Sequence, residues 1–153
     1  YSRVMFNEVL NQAVEHSTRT GALMALLLID LDDFKSVNDG HGHHVGDELL
    51  QEVARRMRQA LRAGDALARL GGDEFAVLLP ETEVDTAVYV ATRIRAAIGA
   101  QIFERAPGLH CTASIGVAGV APVAAGPEGW MERADRALYR AKDEGRDCVR
   151  AAP

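Results

Sequence analysis

The stretch that organises this 153-residue chain is residues 69–79, RLGGDEFAVLL. Two short apolar segments flank Gly71 and Gly72, and the carboxyl groups of Asp73 and Glu74 follow at once. Adjacent glycines permit positive φ angles and a close approach of the backbone to another group, so the pattern predicts a β-hairpin with an acidic tip. Such a tip is suited to hold a metal ion against a phosphate, whereas a purely polar turn is the structural alternative.

A second acidic site follows the most apolar segment of the chain, residues 22–29, which predicts a buried central strand. Its carboxyl end carries Asp30, Asp32 and Asp33, at the edge where open α/β sheets bind ligands. If the hairpin pairs beside this strand, the two acidic sites converge, and their carboxylates repel unless a cation lies between them. Oxygen ligands of this kind suit Mg²⁺ or Mn²⁺ with substrate phosphates, as in metal-assisted nucleotidyl transfer. DLDD as a polar helix start remains the alternative.

The remaining periodicities predict helices and strands around these two sites. Helical spacing of apolar residues marks four segments, namely residues 1–18, 46–64, 83–98 and 130–145. Residues 109–120 predict a strand interrupted by Gly116, and residues 148–151 predict a short edge strand. A short helical turn is predicted at 34–39, and loops are predicted at 40–42, 99–108 and 122–129. The predicted order is α-β-α-β-β-α-β-α-β in one α/β (α+β) domain, with a mixed central sheet flanked by helices.

Composition restricts the class of protein. The chain carries 17 Lys and Arg against 22 Asp and Glu, and the net charge of −5 disfavours a nucleic-acid or anionic-membrane partner and a polymerase-like enzyme. The longest apolar run, residues 22–29, is far shorter than the roughly 20 residues that span a bilayer. Cys111 and Cys148 carry no spacing pattern, which fits a reducing cytosol.

These motifs resemble the GGDEF domain of the diguanylate cyclases nearly end to end. The matching segments are GGDEF at 71–75, DLDDFKSVND at 30–39, GHHVGDELL at 42–50, SIGVA at 114–118 and ADRALYRAKDEGRD at 134–147. The resemblance implies a palm-like nucleotidyl cyclase fold and a single catalytic domain over residues 1–153. It also implies the condensation of two GTP into cyclic di-GMP and two pyrophosphates. Each domain of a homodimer would hold one GTP, and the 3′-hydroxyl of one GTP would attack the α-phosphorus of the other.

The resemblance also assigns the metal site and the catalytic groups. Its implied ligands for Mg²⁺ or Mn²⁺ are the side chains of Asp30, Asp73 and Glu74 and the carbonyl of Leu31, with Asp32 as a weaker candidate. Asp73 also resembles the base for the 3′-hydroxyl, a role that competes with metal ligation for the same oxygens. Lys35 resembles the lysine that meets the phosphates.

The implied substrate contacts lie on both sides of the hairpin. Asn38 and Asp47 resemble the guanine readers, with His43 beside them; a carboxylate accepts from the guanine N1 and N2 hydrogens, and an amide both donates and accepts. The implied phosphate contacts are the Phe34-Lys35 backbone, Lys142 and Arg146, and Gly71 and Gly72 leave room for the nucleotide. Structural alternatives are a helix cap for Asp47 and helix C-terminal cations for Lys142 and Arg146.

A regulatory element precedes the hairpin. Arg62 and Asp65 form an RxxD at the offset of the family's inhibitory site, which implies that cyclic di-GMP binds there. Arg93 falls where a partner domain's arginine completes such a site, and Arg95 is its neighbouring alternative. His41 departs from the aromatic residue usual at its position.

The beginning of the family pattern is missing. Only the last part of its D-x-L-T-G-L-x-N-R lead-in is present, near Tyr1, so the resemblance implies a piece excised from a larger, cytoplasmic or cytoplasm-facing sensor protein. Such an isolated domain is expected to be mostly monomeric and weakly active. The alternative function, from another class, is a catalytically silent module that binds GTP or cyclic di-GMP.

Overall fold

The computed structural model describes residues 1–100, 103–104, 106, 108–120 and 126–153. Within these ranges, helices cover both faces of a five-stranded sheet. The helices are α1 (Arg3–Thr20), α2 (Phe34–His41), α3 (His43–Ala60), α4 (Val84–Gly99) and α5 (Gly126–Asp143). The strands are β1 (Met24–Leu31), β2 (Ala66–Gly71), β3 (Glu74–Pro80), β4 (Ala113–Gly119) and β5 (Val149–Ala151).

The sheet has the order β2-β3-β1-β4-β5, and β1 lies at its centre. Among the strands of the described residues, only β4 and β5 are parallel, so the predicted mixed sheet is confirmed. All eight residues of β1 are buried, as the apolar run predicted. The hairpin strand β3 pairs antiparallel with β1, and this register places Asp30 opposite Glu74. The predicted convergence of the two acidic segments at one edge of the sheet is therefore confirmed.

Alternate side chains of β1 enter two separate cores. Leu27 and Ile29 pack with α2, α3 and α4 on one face, and Leu26 and Leu28 pack with α1 and α5 on the other. Asp30 continues the second series, because successive side chains of a strand point to opposite faces. The acidic end of β1 therefore faces α5.

Residues 34–41 form a helix in their own right, which the predicted order of elements omitted. Gly42 separates α2 from α3 with a φ of +89°, and its N–H closes α2 on the carbonyl of Asn38 at 2.9 Å. One helix thus stands where a short turn and most of a loop were predicted. A glycine that can adopt this φ allows the chain to reverse between α2 and α3 within one residue.

The prediction that α3 begins at Gly46 and Asp47 is wrong. The helix begins at His43, because the Gly46 N–H donates to the Gly42 carbonyl at 3.1 Å and so makes the first helical bond. It ends at Ala60 rather than near Gly64, where Leu61 turns to an extended conformation. Asp47 consequently lies in the second turn of α3 and is not its cap.

Three further boundaries differ from the prediction. β1 continues through Leu31, so Asp30 and Leu31 are the last residues of the strand rather than the first beyond it. β4 is shorter than predicted, and Gly116 does not interrupt it, since it pairs with both Leu28 and Arg150. The predicted loop over 122–129 ends where α5 begins at Gly126. Residues 122–125, like 101, 102, 105 and 107 of the predicted connection, lie outside the described residues.

Two further sequence expectations can be compared with the structure. No helix in the described part of the chain is long and apolar enough to cross a membrane. Cys111 and Cys148 are free thiols. Burial, together with the charge of Asp32, raises the pKa of the Cys111 thiol to about 11.

Candidate active site

The hairpin tip and the end of β1 form one continuous edge. The Leu31 N–H donates to the Asp73 carbonyl at 3.2 Å, which holds the tip against the central strand. Gly72 has a φ of +49°, a left-handed conformation that glycine adopts without strain, and its carbonyl accepts from Arg69 Nε at 2.9 Å. The predicted acidic turn is therefore present, and Arg69, which sequence reasoning did not single out, closes it.

Asp30 is a buried carboxyl group with an incomplete set of partners. It is 8% exposed, and its Oδ2 pairs with the ammonium of Lys142 from α5. Its Oδ1 is buried and has no hydrogen-bond partner within the described part of the chain. Burial raises the pKa of Asp30 above its ordinary value, Lys142 opposes that shift, and the neighbouring Asp73 carboxyl raises the pKa further. The site therefore already gathers negative charge that a cation would stabilise.

The residues present fit a divalent cation only in combination with a ligand. In the ranges that the structure describes, no three His, Cys, Asp or Glu side chains are grouped to hold a metal by themselves. Asp30 and Asp73 are close enough to affect each other's charge, and Glu74 is exposed on the α5 side. Two carboxylates and a backbone carbonyl leave positions for phosphate oxygens, which is the coordination that Mg²⁺ favours in proteins.

The predicted guanine readers lie on the opposite side of the hairpin. Asn38 of α2 has a buried Oδ1 that accepts no hydrogen bond from any described residue. It fits against α3 because position 46 is a glycine: a Cβ there would lie 1.9 Å from Asn38 Oδ1. Gly46, which sequence reasoning took for a helix start, thus makes room for the Asn38 side chain. A glycine inside a helical pattern, where it costs about 1 kcal/mol relative to Ala, was the available signal.

A surface cavity of about 510 Å³ joins this side of the site to the hairpin. Asp47 and Leu50 of α3 line it together with Arg69 and Phe75 of the hairpin. Asp47 is exposed at its rim. The structure thus brings Asp47 to the cavity and Asn38 to the packed α2–α3 contact nearby.

Other predicted contacts lie on the surface. His43 and Lys35 are exposed, and Phe34, the first residue of α2, has a buried side chain. Cβ atoms built on Gly71 and Gly72 would meet no atom within 4 Å, so the space over the tip is open. None of these residues has a contact that assigns it a role by itself.

Both Lys142 and Arg146 were predicted to lie near the end of the last helix, but only Lys142 lies in it. α5 ends at Asp143, and the Arg146 N–H then donates to the Ala141 carbonyl at 2.9 Å across Gly145. This is the pattern of a helix that glycine terminates, as Gly145 was predicted to do. Arg146 lies beyond the helix with a φ of +62°, so the alternative of a cation at a helix C-terminus applies only to Lys142.

Asp32 directly follows the last residue of β1, and its carboxylate is bound by donors of the protein itself. Its two carboxylate oxygens accept hydrogen bonds from Thr112 Oγ1 and Ser114 Oγ, each at 2.7 Å, and from the Asp147 N–H at 3.0 Å. These partners occupy oxygens that a metal would need. The weaker metal candidate thus accepts three hydrogen bonds from the protein, and these partners are too distant in the sequence to be predicted.

The RxxD residues form a compact turn beside the end of β3. The Asp65 carboxylate accepts from the Arg62 N–H at 2.8 Å, and the Arg62 guanidinium donates to the Pro80 carbonyl and to Thr82 Oγ1, both at 3.1 Å. Both residues line a surface cavity of about 390 Å³. Arg93 is exposed on α4 over the ring of Tyr89, and Arg95 instead binds Asp147.

Comparison with solved structures supports this architecture. The coiled coil and GGDEF domain of DgcB from Caulobacter crescentus, in complex with c-di-GMP, matches with a TM-score of 0.94 at 30% identity, over 99% of this chain and 81% of that one. The GGDEF domain of PA1120 from Pseudomonas aeruginosa matches with a TM-score of 0.93 at 36% identity, over 100% of this chain and 96% of that one.

Comparison with characterised sequences leads to the same family. The response regulator PleD of Caulobacter vibrioides is 41% identical over 143 residues, which are 92% of this chain and 32% of PleD. The diguanylate cyclase DgcP of Pseudomonas aeruginosa is 41% identical over 99% of this chain and 22% of its own length. The chain thus spans a third or less of these relatives. The family model "Diguanylate cyclase, GGDEF domain" matches residues 1–148, and the chain belongs to that GGDEF family.

Proposed function

We propose that this domain is a diguanylate cyclase, which condenses two GTP into cyclic di-GMP and two pyrophosphates. The observation that carries the proposal is the pair of buried, unpartnered oxygens among the described residues, Asp30 Oδ1 and Asn38 Oδ1. Leaving a buried acceptor without a partner costs about 1–3 kcal/mol. A cation beside Asp30 and the N–H groups of a guanine beside Asn38 would satisfy these two oxygens.

The layout of the site fits one GTP lying across the hairpin. The guanine side is the cavity beside Asp47, and the phosphate side is the end of β1 that faces α5. A nucleotide that spans both must cross the open space above Gly71 and Gly72. Side chains at these two positions would narrow that crossing, which accounts for two successive glycines at the tip.

The metal proposed for the phosphate side is Mg²⁺ or Mn²⁺. Asp30, Asp73 and the Leu31 carbonyl would hold it, with Glu74 as a further carboxylate within reach of the same edge. When bound, a divalent ion of this kind polarises the α-phosphate and neutralises charge that develops on it.

The chain's own cations would bind the rest of the triphosphate. Lys142 and Arg146, together with Lys35 and the backbone at Phe34, are the proposed phosphate contacts. In the structure the Lys142 ammonium neutralises Asp30, so binding of a cation at Asp30 would release Lys142 toward the phosphates. Asp73 is the proposed acceptor for the 3′-hydroxyl proton, in competition with its role as a ligand.

Catalysis would require two copies of the domain, because one site holds one GTP and each GTP must supply a 3′-hydroxyl to the other. The natural partner is a second copy of this chain, in the cytoplasm where GTP is available. The resulting cyclic di-GMP is proposed to bind the cavity of Arg62 and Asp65, with Arg93 from the other copy. Arginine suits this role, since its guanidinium binds phosphates and guanine edges in a bidentate manner.

The cyclase activity can be tested with concentrated protein fused to a dimerising coiled coil, incubated with GTP and Mg²⁺. Chromatography should detect cyclic di-GMP and pyrophosphate, and Asp73→Ala should abolish both while circular dichroism stays unchanged. A forced dimer that binds GTP and forms no product would instead support the catalytically silent module.

The inhibitory site can be tested with Arg62→Ala. We expect the concentration of cyclic di-GMP that halves the rate to rise about tenfold or more, because a bidentate contact is lost. Arg19→Ala, an exposed arginine on α1, is the control. Equal inhibition of both variants would refute the assignment of the RxxD site.

A further inference from the structure

The carboxylate of Asp32 connects three separate parts of the chain. Two of its donors, Thr112 and Ser114, lie before and within β4, and the third is the backbone N–H of Asp147 after α5. The Asp32 N–H also donates to the Thr112 carbonyl at 2.9 Å. Four hydrogen bonds thus hold this residue, two positions after Asp30, to the segments beside it.

The segment that Asp32 holds is a turn with an unfavourable backbone conformation. Gly145, Arg146 and Asp147 have φ values of +119°, +62° and +46°. For non-glycine residues such left-handed conformations cost about 1–2 kcal/mol each and persist only where the surroundings enforce them. The turn that carries Arg146 therefore requires support from outside itself.

Contacts on two sides provide that support through Asp147. Its N–H is bound by Asp32, and its carboxylate and carbonyl accept from Arg95 of α4, at 2.7 and 3.3 Å. The Arg146 side chain itself is exposed, so the structure fixes its backbone and leaves its guanidinium available. The contacts with Asp32 and Arg95 hold the residue after Arg146, and the bond from the Arg146 N–H to the Ala141 carbonyl holds Arg146 at its own backbone.

We propose that Asp32 is a positioning residue, whose carboxylate holds the 145–147 turn so that Arg146 points its guanidinium at the triphosphate of bound GTP. This role rests on the proposed function, and it makes one strand end serve two purposes. Asp30 faces the metal position, and Asp32 places the arginine that meets the phosphates. The acidic motif at the end of β1 thus contains one carboxylate that faces the proposed ligand and one that holds a turn of the protein itself.

The test compares Asp32→Ala, Asp32→Asn and Arg146→Ala with the control Glu144→Gln. Glu144 lies next to the same turn but pairs with Arg150, outside the site. Calorimetry with Mg²⁺ measures the affinity for a non-reacting α,β-methylene GTP and for guanosine. Asp32→Ala should weaken binding of the GTP analogue about tenfold and leave guanosine binding unchanged. Asp32→Asn, which retains an acceptor, should restore part of the loss.

A double-mutant cycle shows whether Asp32 acts through Arg146. If it does, Asp32→Ala should have almost no further effect on binding of the GTP analogue once Arg146 is Ala. Additive effects, or an equal loss of guanosine binding, would overturn the positioning role. A wild type that fails to bind the analogue would overturn the proposed function and this role with it. A wild type and an Asp32→Ala variant that bind the analogue equally well would overturn this role alone.

Amide hydrogen exchange provides a readout that does not depend on any ligand. By nuclear magnetic resonance, the Asp147 N–H should exchange slowly in the wild type and in Glu144→Gln, and about tenfold faster in Asp32→Ala. Unchanged exchange at Asp147 would show that Asp32 does not hold the turn, and it would contradict the proposal.

Discussion

At the scale of single residues, the proposed guanine side of the site depends on the absence of a side chain. Gly46 lies inside α3, where glycine is the less favourable choice, and it lets α2 bring Asn38 against α3. A Cβ at this position would lie 1.9 Å from Asn38 Oδ1. The residue that makes room for the proposed guanine reader is therefore one without a side chain.

Gly46→Ala should consequently displace the Asn38 amide and weaken the affinity for GMP about tenfold, while the helical circular dichroism is retained. Gly40→Ala is the matched control, since a Cβ at position 40 of α2 would meet no atom within 4 Å. Calorimetric titration with GMP measures both variants. Equal affinities in Gly46→Ala and the wild type would show that Asn38 does not need its present position.

Some of these residues could be predicted from the sequence and others could not, for a physical reason. Asp30 and Asp73 each follow or interrupt a strongly apolar segment, so their placement at strand ends was readable from local periodicity. The contacts of Asp32 with Thr112 and Asp147 span 80 and 115 positions. No local pattern encodes such contacts.

At the scale of elements, α5 packs on β4 at a distance that only glycine permits. A Cβ on Gly116 would lie 2.3 Å from the carbonyl oxygen of Ala134 and from the nitrogen of Leu138. Both are backbone atoms of α5, so they cannot yield by a change of rotamer. This close approach helps bring Lys142 of the same helix to Asp30.

Gly116→Ala should therefore lower the free energy of unfolding by about 1–3 kcal/mol or more, since inserted atoms force the helix away from the sheet. Urea denaturation measures the change, and Gly64→Ala, where a Cβ meets open space, should leave the midpoint nearly unchanged. An unaltered midpoint for Gly116→Ala would contradict the close packing of α5.

The Arg56 guanidinium joins helix α3 to α4, and its partner Glu52 makes the free energy of unfolding depend on pH. Arg56 is 5% exposed, and its guanidinium donates to the Ile98 carbonyl at the end of α4 and to Glu52. Hydrogen bonds from Arg55, and then from Arg56, hold the pKa of Glu52 at about 2, below its ordinary value of 4.5. A lowered pKa stabilises the fold above the unfolded value, and this contribution is lost as the pH falls through the folded value.

Glu52→Gln should thus cost about 1–2 kcal/mol of unfolding free energy at about pH 7. The difference from the wild type should shrink as the pH falls below 4.5 toward 2, because Glu52 becomes protonated in both states. Urea denaturation across this pH range measures the difference in unfolding free energy, and Glu8→Gln, at an exposed position of α1, is the control. A difference that stays constant with pH would contradict the assigned ion pair.

Helices and strands were predicted correctly where one pattern of apolar residues extended over many positions. The central strand, the hairpin and the mixed sheet follow from apolar runs and glycine pairs. The helix α2 was predicted only as a short turn followed by a loop, and Gly42 alone separates it from α3. Gly116 was mistaken for an interruption of the strand. The reason for a glycine there is the close contact with α5, which comes from a distant part of the chain.

At the scale of the whole molecule, the sheet divides the proposed site into two halves. The proposed guanine readers lie on the side of α2 and α3, Lys142 and the buried carboxyl of Asp30 lie on the side of α5, and the hairpin tip lies between them. We propose that one such site accommodates one nucleotide. On that proposal, a product built from two nucleotides requires two copies of the molecule with their hairpin edges facing each other.

The rate of cyclic di-GMP formation as a function of protein concentration tests this central claim most directly. For the free domain, the rate per molecule should rise in proportion to protein concentration at saturating GTP and Mg²⁺. For the domain fused to a dimerising coiled coil, it should be constant and higher. Asp73→Ala should form no product in either format. A free domain whose rate per molecule does not change with concentration while it remains monomeric, or product formation by Asp73→Ala, would contradict the account.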